Sequence, residues 1–545
     1  MDPQLPTTSR PFFNRTFLYV LVLAILLAAA LVAYFVWIGN KPSTQGSGYV
    51  EGLSREKITI ALLGNFYRYP NGQSVAAQPS TTVNLNVFEG LVRWRNNKAV
   101  PALAESWTNP DQLTWRFNLR KDVKFHSGAV FKAEDVKYSI DQAKANKEWG
   151  SNSLTSVIKS VTVIDDNTVE IKTEKPTPGL LYNLVLLFIV SKEQVTQAGL
   201  ANAVGTGAYK IVSLKESEVV EEANQSYWGG APKVRQLVYK YYKDRDAEVV
   251  GLEQGDVDLI AITNKSKSDE LKTKGYQVVA VSSGDMSVVG FDFATEKAKY
   301  VEGAASGKNP FKDPKVRKAL WAAIDASSVV LAGGINGVPL SQFSTPDLVG
   351  YNLAISKHTQ DVSLAKSLLT EAGYPTGFTF TILVPTTGED FAKEIAKQLA
   401  AINVTMKLNI VDFSKYVDKL GAGADPKLRD FTAYYLTQDL GTLDSLDYLN
   451  DLVHSTKGTN SLVSMYSSPA LDSIIDQADK EFDLKKRTEL TQKAQEQVNN
   501  ELPYLLLYTK LTFYVTKEDV SFKSSPGANI PGYELSGRRK TDSNQ

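Results

Sequence analysis

Residues 87–141 read VFEGLVRWRNNKAVPALAESWTNPDQLTWRFNLRKDVKFHSGAVFKAEDVKYSID, and this stretch decides the fold. Leu113, Trp115, Phe117 and Leu119 alternate with Thr114, Arg116, Asn118 and Arg120, the period of a strand buried on one face. Asn109-Pro110-Asp111 predicts a turn before the strand and His126-Ser127-Gly128 a turn after it. A charged helix is expected to begin near Ala133.

Beyond that stretch the chain has 545 residues, of which 43% are hydrophobic, enough for a large core and about three average domains. The formal net charge is zero and the basic run Arg538-Arg539-Lys540 is not exceeded in length, which argues against nucleic acid as a partner. Cysteine is absent, so there is no disulfide, thiolate metal site, cysteine nucleophile or acceptor for a lipid anchor. Phe17 to Ile38 is an uncharged run of 22 residues, about 33 Å long as a helix and sufficient to span a hydrocarbon core. It fits an uncleaved anchor better than a signal peptide, whose apolar part runs to about 7 to 15 residues. Arg10 and Arg15 precede the run and Lys41 follows it, which predicts a cytoplasmic tail at 1–16, a single-pass anchor at 17–38 and the bulk of the protein outside a bacterial cell membrane. Residues 39–56, with Pro42, Ser43, Gly46, Ser47 and Gly48, are expected to form a flexible tether.

Ile58 to Leu63 reads as a buried strand, Val161–Val163 and Val169–Ile171 as a hairpin around Asp165-Asp166-Asn167, and Phe378–Ile382 and Val404–Ile410 as strands around a helix. Asp313-Pro314, Asp361 and Ser468-Pro469 mark helix starts, the last opening a helix expected to run from Pro469 to Asn500. The pattern is mixed α/β. Signs of catalysis are missing: His126, His358 and His454 form no His-x-x-x-His pair, there is no Gly-x-Ser-x-Gly elbow, and Gly303 to Asn309 lacks the spacing of a phosphate loop and reads as an exposed loop.

The order of residues resembles the extracytoplasmic solute-binding proteins of peptide and nickel ABC importers, family 5. The resemblance rests on Glu89-Gly90-Leu91, Pro101 to Trp107, Val123 to His126, Glu134-Asp135-Val136, Gly205 to Lys210, Tyr227 to Gly230, Gly255 to Ile260, Asp313 to Leu320 and Ala365 to Tyr374, and it covers roughly residues 57 to 538. It implies a two-lobed periplasmic-binding-protein fold of the class II type with an extra subdomain: lobe I at 57–96, 200–288 and 500–545, the subdomain at 97–199 and lobe II at 289–499. It also implies a monomeric receptor, not an enzyme, that needs no cofactor and hands short peptides to a separate permease and its ATPase subunits. On this reading His126 has a structural role, Lys132 replaces a capping Ser or Thr, and Asp292 stands where Asn is usual.

In peptide-binding members an Asp after a Trp takes the ligand's ammonium group, and the matching position in Tyr434 to Asp444 is Asp439, with Leu436 in place of the Trp. A carboxylate in a water-poor cleft selects for a free amine because either charge is costly unpaired. Phe66, Tyr67, Trp149, Phe291 and Tyr508 are the aromatic residues expected to line that cleft, giving apolar contact with little selectivity. Other ligands, a metal chelate or a sugar, or a sensory role remain alternatives on the same scaffold.

Overall fold

The computed structural model describes residues 49–64, 78–95, 98–145, 152–193, 204–297, 300–304, 308–422, 425–523 and 531–540. The expected anchor at 17–38 lies outside them, and among the described residues no helix is long and apolar enough to cross a membrane. Two compact units divide the chain, 1–51 with 538–545 and 52–537. The expected tether is strand from residue 49 onward, in Tyr49–Leu53 and Arg55–Leu63. The second of these pairs in parallel with Val234–Tyr242 from Arg55 opposite Val234, which draws residues ahead of the apolar Ile58 into the ladder.

Within residues 52–537, one long strand, Tyr504–Thr516, organises two halves of a sheet. Its N-terminal part pairs with Met286–Phe291, Ser287 facing Tyr508 and Gly290 facing Tyr504. Its C-terminal part pairs with Leu259–Ile262 on one side and Gln277–Ser282 on the other. The first lobe continues from Leu259–Ile262 through Arg55–Leu63, Val234–Tyr242, Glu218–Ala223 and Tyr209–Lys215. The second continues from Met286–Phe291 through Ala433–Gln438 and Thr379–Pro385 to Thr405–Val411, the last three parallel to one another and separated by helices. Met286–Phe291 is buried along its whole length and lies between Tyr504–Thr516 and Ala433–Gln438 in the sheet.

The opening stretch builds the subdomain. Thr114–Leu119 lies between Ala104–Asp111 and Thr168–Thr173 in a four-stranded antiparallel sheet. Trp115, Phe117 and Leu119 are buried and Arg116 and Asn118 exposed, as the alternation requires. Leu113 is exposed because it sits in the turn, where its amide bonds the Asp111 carboxylate at 2.8 Å, so the turn falls two residues later than Asn109-Pro110 suggested. The hairpin around Asp165-Asp166-Asn167 forms as expected. Helix Ala133–Ala145 starts without a side chain at Lys132 to cap it. Asp135 accepts the Lys132 amide at 2.9 Å, the half of a capping box that does not need Ser or Thr, and the Ala133 amide donates to the Asp166 carbonyl at 2.9 Å, so two donors at the helix start are satisfied by neighbouring groups.

In the second lobe Asp313, Asp361 and Ser468 cap their helices as expected. The expected helix Pro469 to Asn500 is two helices, Pro469–Lys480 and Leu484–Glu501. Two interactions make the break: Asp483 caps the second helix through the Lys485 and Lys486 amides, and Phe482 leaves the helical path to pack on Trp115 of the subdomain, ring centres 5.7 Å apart. Buried Arg317 closes the C-terminal end of that helix, donating to the Glu501 and Leu502 carbonyls.

Asp292, unusual on the resemblance, has a structural explanation: it forms a fully buried ion pair with Arg429 and also accepts from the Ala294 amide and the Thr295 hydroxyl. Arg429→Met should therefore destabilise the protein by about 3 to 5 kcal/mol, because Asp292 is left buried without its cation. The double variant Asp292→Asn with Arg429→Met should lose less. Urea denaturation of the two variants checks both outcomes.

Candidate ligand-binding cleft

Between the lobes lies a cleft of about 230 Å³. Its first-lobe wall comes from the apolar run at residues 87–95, in which Glu89 and Arg93 are out of place chemically. Glu89 accepts from the Tyr227 hydroxyl at 2.6 Å, the Trp228 indole at 2.8 Å and the Thr206 hydroxyl at 3.0 Å. Burial pushes its pKa up, and these donors together with the Arg93 charge pull it back only in part. The Arg93 guanidinium stands against the Trp228 ring at 4.8 Å and the Tyr533 ring at 5.6 Å, a cation–π sandwich that holds it at the cleft surface. Gly90 lets this segment approach helix Leu180–Leu186: a Cβ there would meet the Leu184 carbonyl at 2.2 Å. The close approach seats Trp94 edge-on against Tyr182 at 5.4 Å.

The floor is made where the chain crosses between the lobes. Ser282, Ser283 and Gly284 line the cleft. Behind them the Ser283 amide donates to the Lys510 carbonyl at 3.0 Å, and buried Asp285 accepts the Lys510 amide at 2.9 Å and pairs with its ammonium at 3.0 Å. The two crossing segments are thus joined side by side.

The second-lobe wall begins at the C-terminal end of Ala433–Gln438, where ligands of α/β sheets commonly bind. Asp439 follows at once, exposed in the cleft, and its carboxylate accepts the Gly441 amide at 2.9 Å. Gly441 has φ +58°, a conformation glycine adopts freely. Tyr448 fixes the loop from behind, accepting the Leu440 amide at 3.3 Å and donating to the Gly284 carbonyl at 2.6 Å. Asp444 ends the loop as cap of helix Ser445–Leu452 and forms a buried ion pair with Arg487. Arg487 in turn lies 5.7 Å from the Tyr182 ring of the subdomain.

Of the residues expected at the site, the structure places Asp439 in the cleft. Phe291 and Tyr508 are corrections. Phe291 is fully buried and stacked on Phe311 at 4.5 Å, and Tyr508 is buried with its hydroxyl on that of Tyr435 at 2.5 Å. Both rings point into the hydrophobic core of the second lobe, because their strands present that face to its helices and not to the cleft. Phe66, Tyr67 and Trp149 lie outside the described residues. Glu89, Arg93 and Asp347 line the cleft and were not expected there; charges inside the otherwise apolar VFEGLVRW were the available signal for the first pair.

The histidines are separate and structural: His126 bonds the Gly207 carbonyl at 2.9 Å, His358 stacks on Trp321 at 4.0 Å, and His454 bonds Asp476 at 3.2 Å. Among the described residues no group of three His, Cys, Asp or Glu side chains is arranged to hold a metal ion. Of the stretch 303–309, residues 305–307 lie outside the described residues; Gly303 and Lys308 are exposed as expected, while Asn309 is buried and donates to the Asp292 and Thr295 carbonyls.

Residues 98–460 match the family model described as bacterial extracellular solute-binding proteins, family 5 Middle. Heme-binding protein A of Haemophilus influenzae is 27% identical over 77% of this chain and 81% of its own length. The dipeptide-binding protein of Escherichia coli is 25% identical over 80% of this chain and 85% of its own. The solved structure of HbpA2 from Haemophilus parasuis superposes with a TM-score of 0.77 at 23% identity, covering 88% of this chain and all of that one (100%).

Next to the Asp439 loop, Asp447 accepts from the Thr442 hydroxyl and lies near Asp444; its side chain reaches solvent, but the protein packed around it strips hydration first, and with the Asp444 charge pushes its pKa up to about 7. The folded state therefore keeps a proton that the unfolded chain releases near pH 4, and stability falls as pH rises from about 4 through about 7. Asp447→Asn should remove that loss. The thermal midpoint of this variant relative to the parent should be higher at pH 8 than at pH 5; melting curves at the two pH values read it directly.

Proposed function

Because the chain belongs to the bacterial extracellular solute-binding proteins of family 5, we propose that it is the membrane-tethered receptor of an ABC importer, one that captures short peptides in the interlobe cleft and delivers them to a separate permease and its ATPases. As a member of that family it is a transport receptor and not an enzyme. Support for a peptide ligand comes first from Asp439, a carboxylate exposed in the cleft with a backbone amide on one oxygen and the other oxygen open to a ligand's ammonium group. The apolar run at 17–38 supports the tether, and a monomer is expected to suffice because both walls of the cleft come from one chain.

Binding is by hydrogen bonds and shape, with no covalent step. The peptide's amino end pairs with Asp439, its backbone bonds main-chain groups of the cleft, and Trp94 and Tyr533 give apolar contact tolerant of varied side chains. Closure of the lobes about the paired crossings would then strengthen the charge pair by excluding water. A second reading changes the ligand to a metal chelate, a sugar or another solute, or makes the protein a sensor. It is favoured by Leu436, buried one turn of strand before Asp439 where a Trp is expected for peptides.

Calorimetry on the detergent-solubilised full chain with dipeptides to pentapeptides tests the proposal. Free-amine peptides should bind, and either amino-terminal acetylation or Asp439→Asn should weaken them by about tenfold or more. Equal binding of free and acetylated peptides would overturn the role of Asp439, and no heat with any peptide would overturn the ligand class.

A further inference from the structure

The second lobe turns two carboxylates to the cleft, and Asp439 is one of them. The other is Asp347. It sits in the Thr345–Leu348 turn, closed by the Leu348 amide on the Thr345 carbonyl at 3.0 Å, with Pro346 ahead of Asp347 to fix the backbone. Thr345 and Leu348 are buried at either end, so the turn is anchored while the Asp347 side chain stands in the open.

This turn is tied to the Asp439 loop. The Val349 amide donates to the Leu443 carbonyl at 3.1 Å and the Val349 carbonyl accepts the Ser445 amide at 3.0 Å and its hydroxyl at 2.7 Å, making a parallel bridge between Val349 and Asp444. Both carboxylates are therefore presented by stitched backbone, with a spacing the ligand has to match.

Their charges are not balanced by the cleft. Arg93, the guanidinium that lines it, lies beside Glu89 and between two aromatic rings. Among the described residues, three carboxylates, Glu89, Asp347 and Asp439, line the cleft against the one guanidinium of Arg93. A lining with this excess of negative charge favours a ligand that brings cations.

We propose that Asp347 is a specificity-determining residue that receives a second positive charge of the ligand, so that the cleft prefers peptides with a lysine or arginine side chain over neutral or acidic ones. This inference rests on the reading of Asp439 as the ammonium site. On this reading the two carboxylates take the two cationic groups of such a peptide, and Arg93 on the facing wall is left to its carboxylate end.

The test is calorimetry on the full chain with alanyl-alanine, alanyl-lysine, alanyl-glutamate and 1,5-diaminopentane. Alanyl-lysine should bind about tenfold or more tighter than alanyl-alanine, and alanyl-glutamate more weakly than either. Asp347→Asn should abolish the preference for lysine, bringing alanyl-lysine to within about twofold of alanyl-alanine measured on the same variant, whereas Asp439→Asn should weaken all three dipeptides. Equal affinities for the three dipeptides, or a lysine preference that survives Asp347→Asn, would overturn the inference while leaving the peptide receptor standing. If no dipeptide binds but 1,5-diaminopentane does, and Asp347→Asn weakens it, the peptide reading fails and the second cation site stands. Silence toward all four probes overturns both.

Discussion

A single strand carries the mechanical constraint on which both lobes depend. Tyr504–Thr516 gives its first hydrogen bonds to one lobe and its last to the other, and the antiparallel crossing at 283–285 is fastened to it by Asp285 and Lys510. A strand cannot bend sharply where its ladder continues, so change between the lobes is confined to the short interval where pairing switches from one neighbour to the next. The cleft floor is that interval. Ligand contacts made there and on the two walls are consequently coupled to the geometry of the crossing, which is what a capture device requires.

Local patterns in the sequence exposed the scaffold well. Trp115, Phe117 and Leu119 took the buried face their alternation demanded, and Asp313, Asp361 and Ser468 capped the helices they precede. These signals are local, arising from period and capping chemistry. The break at Phe482 was hidden because Glu481-Phe482-Asp483 is compatible with a helix; beside the Asp483 cap, what marks the break is a contact with Trp115, far away in sequence. Phe291 and Tyr508 failed as cleft residues for a related reason. A strand between two layers has an inward and an outward face, and only the helices packed on it decide which face becomes core. Glu89 and Arg93 carried a legible clue, two charges in an apolar run, but whether such charges face a cleft or a buried partner depends on Tyr227, Trp228 and Tyr533, which come from other segments.

The two second-lobe carboxylates that line the cleft owe their placement to interactions they do not make themselves. Asp439 and Asp347 each sit on a short turn, and the two turns share the Val349 to Asp444 bridge. Asp444 is fixed by Arg487, which reaches the subdomain at Tyr182, while Phe482 of the preceding segment reaches it at Trp115. A buried ion pair of this kind contributes little net stability, since desolvation offsets the attraction. Its effect here is positional: it holds a polar loop in one conformation beside an open cleft, where loops otherwise adopt several. The aromatic wall across the cleft has the opposite character, accepting many shapes through apolar contact. Affinity can then come from the tolerant wall and the backbone, while discrimination comes from charges whose spacing is set in advance, a division that lets the ligand class change by substitution at one turn without rebuilding the lobes.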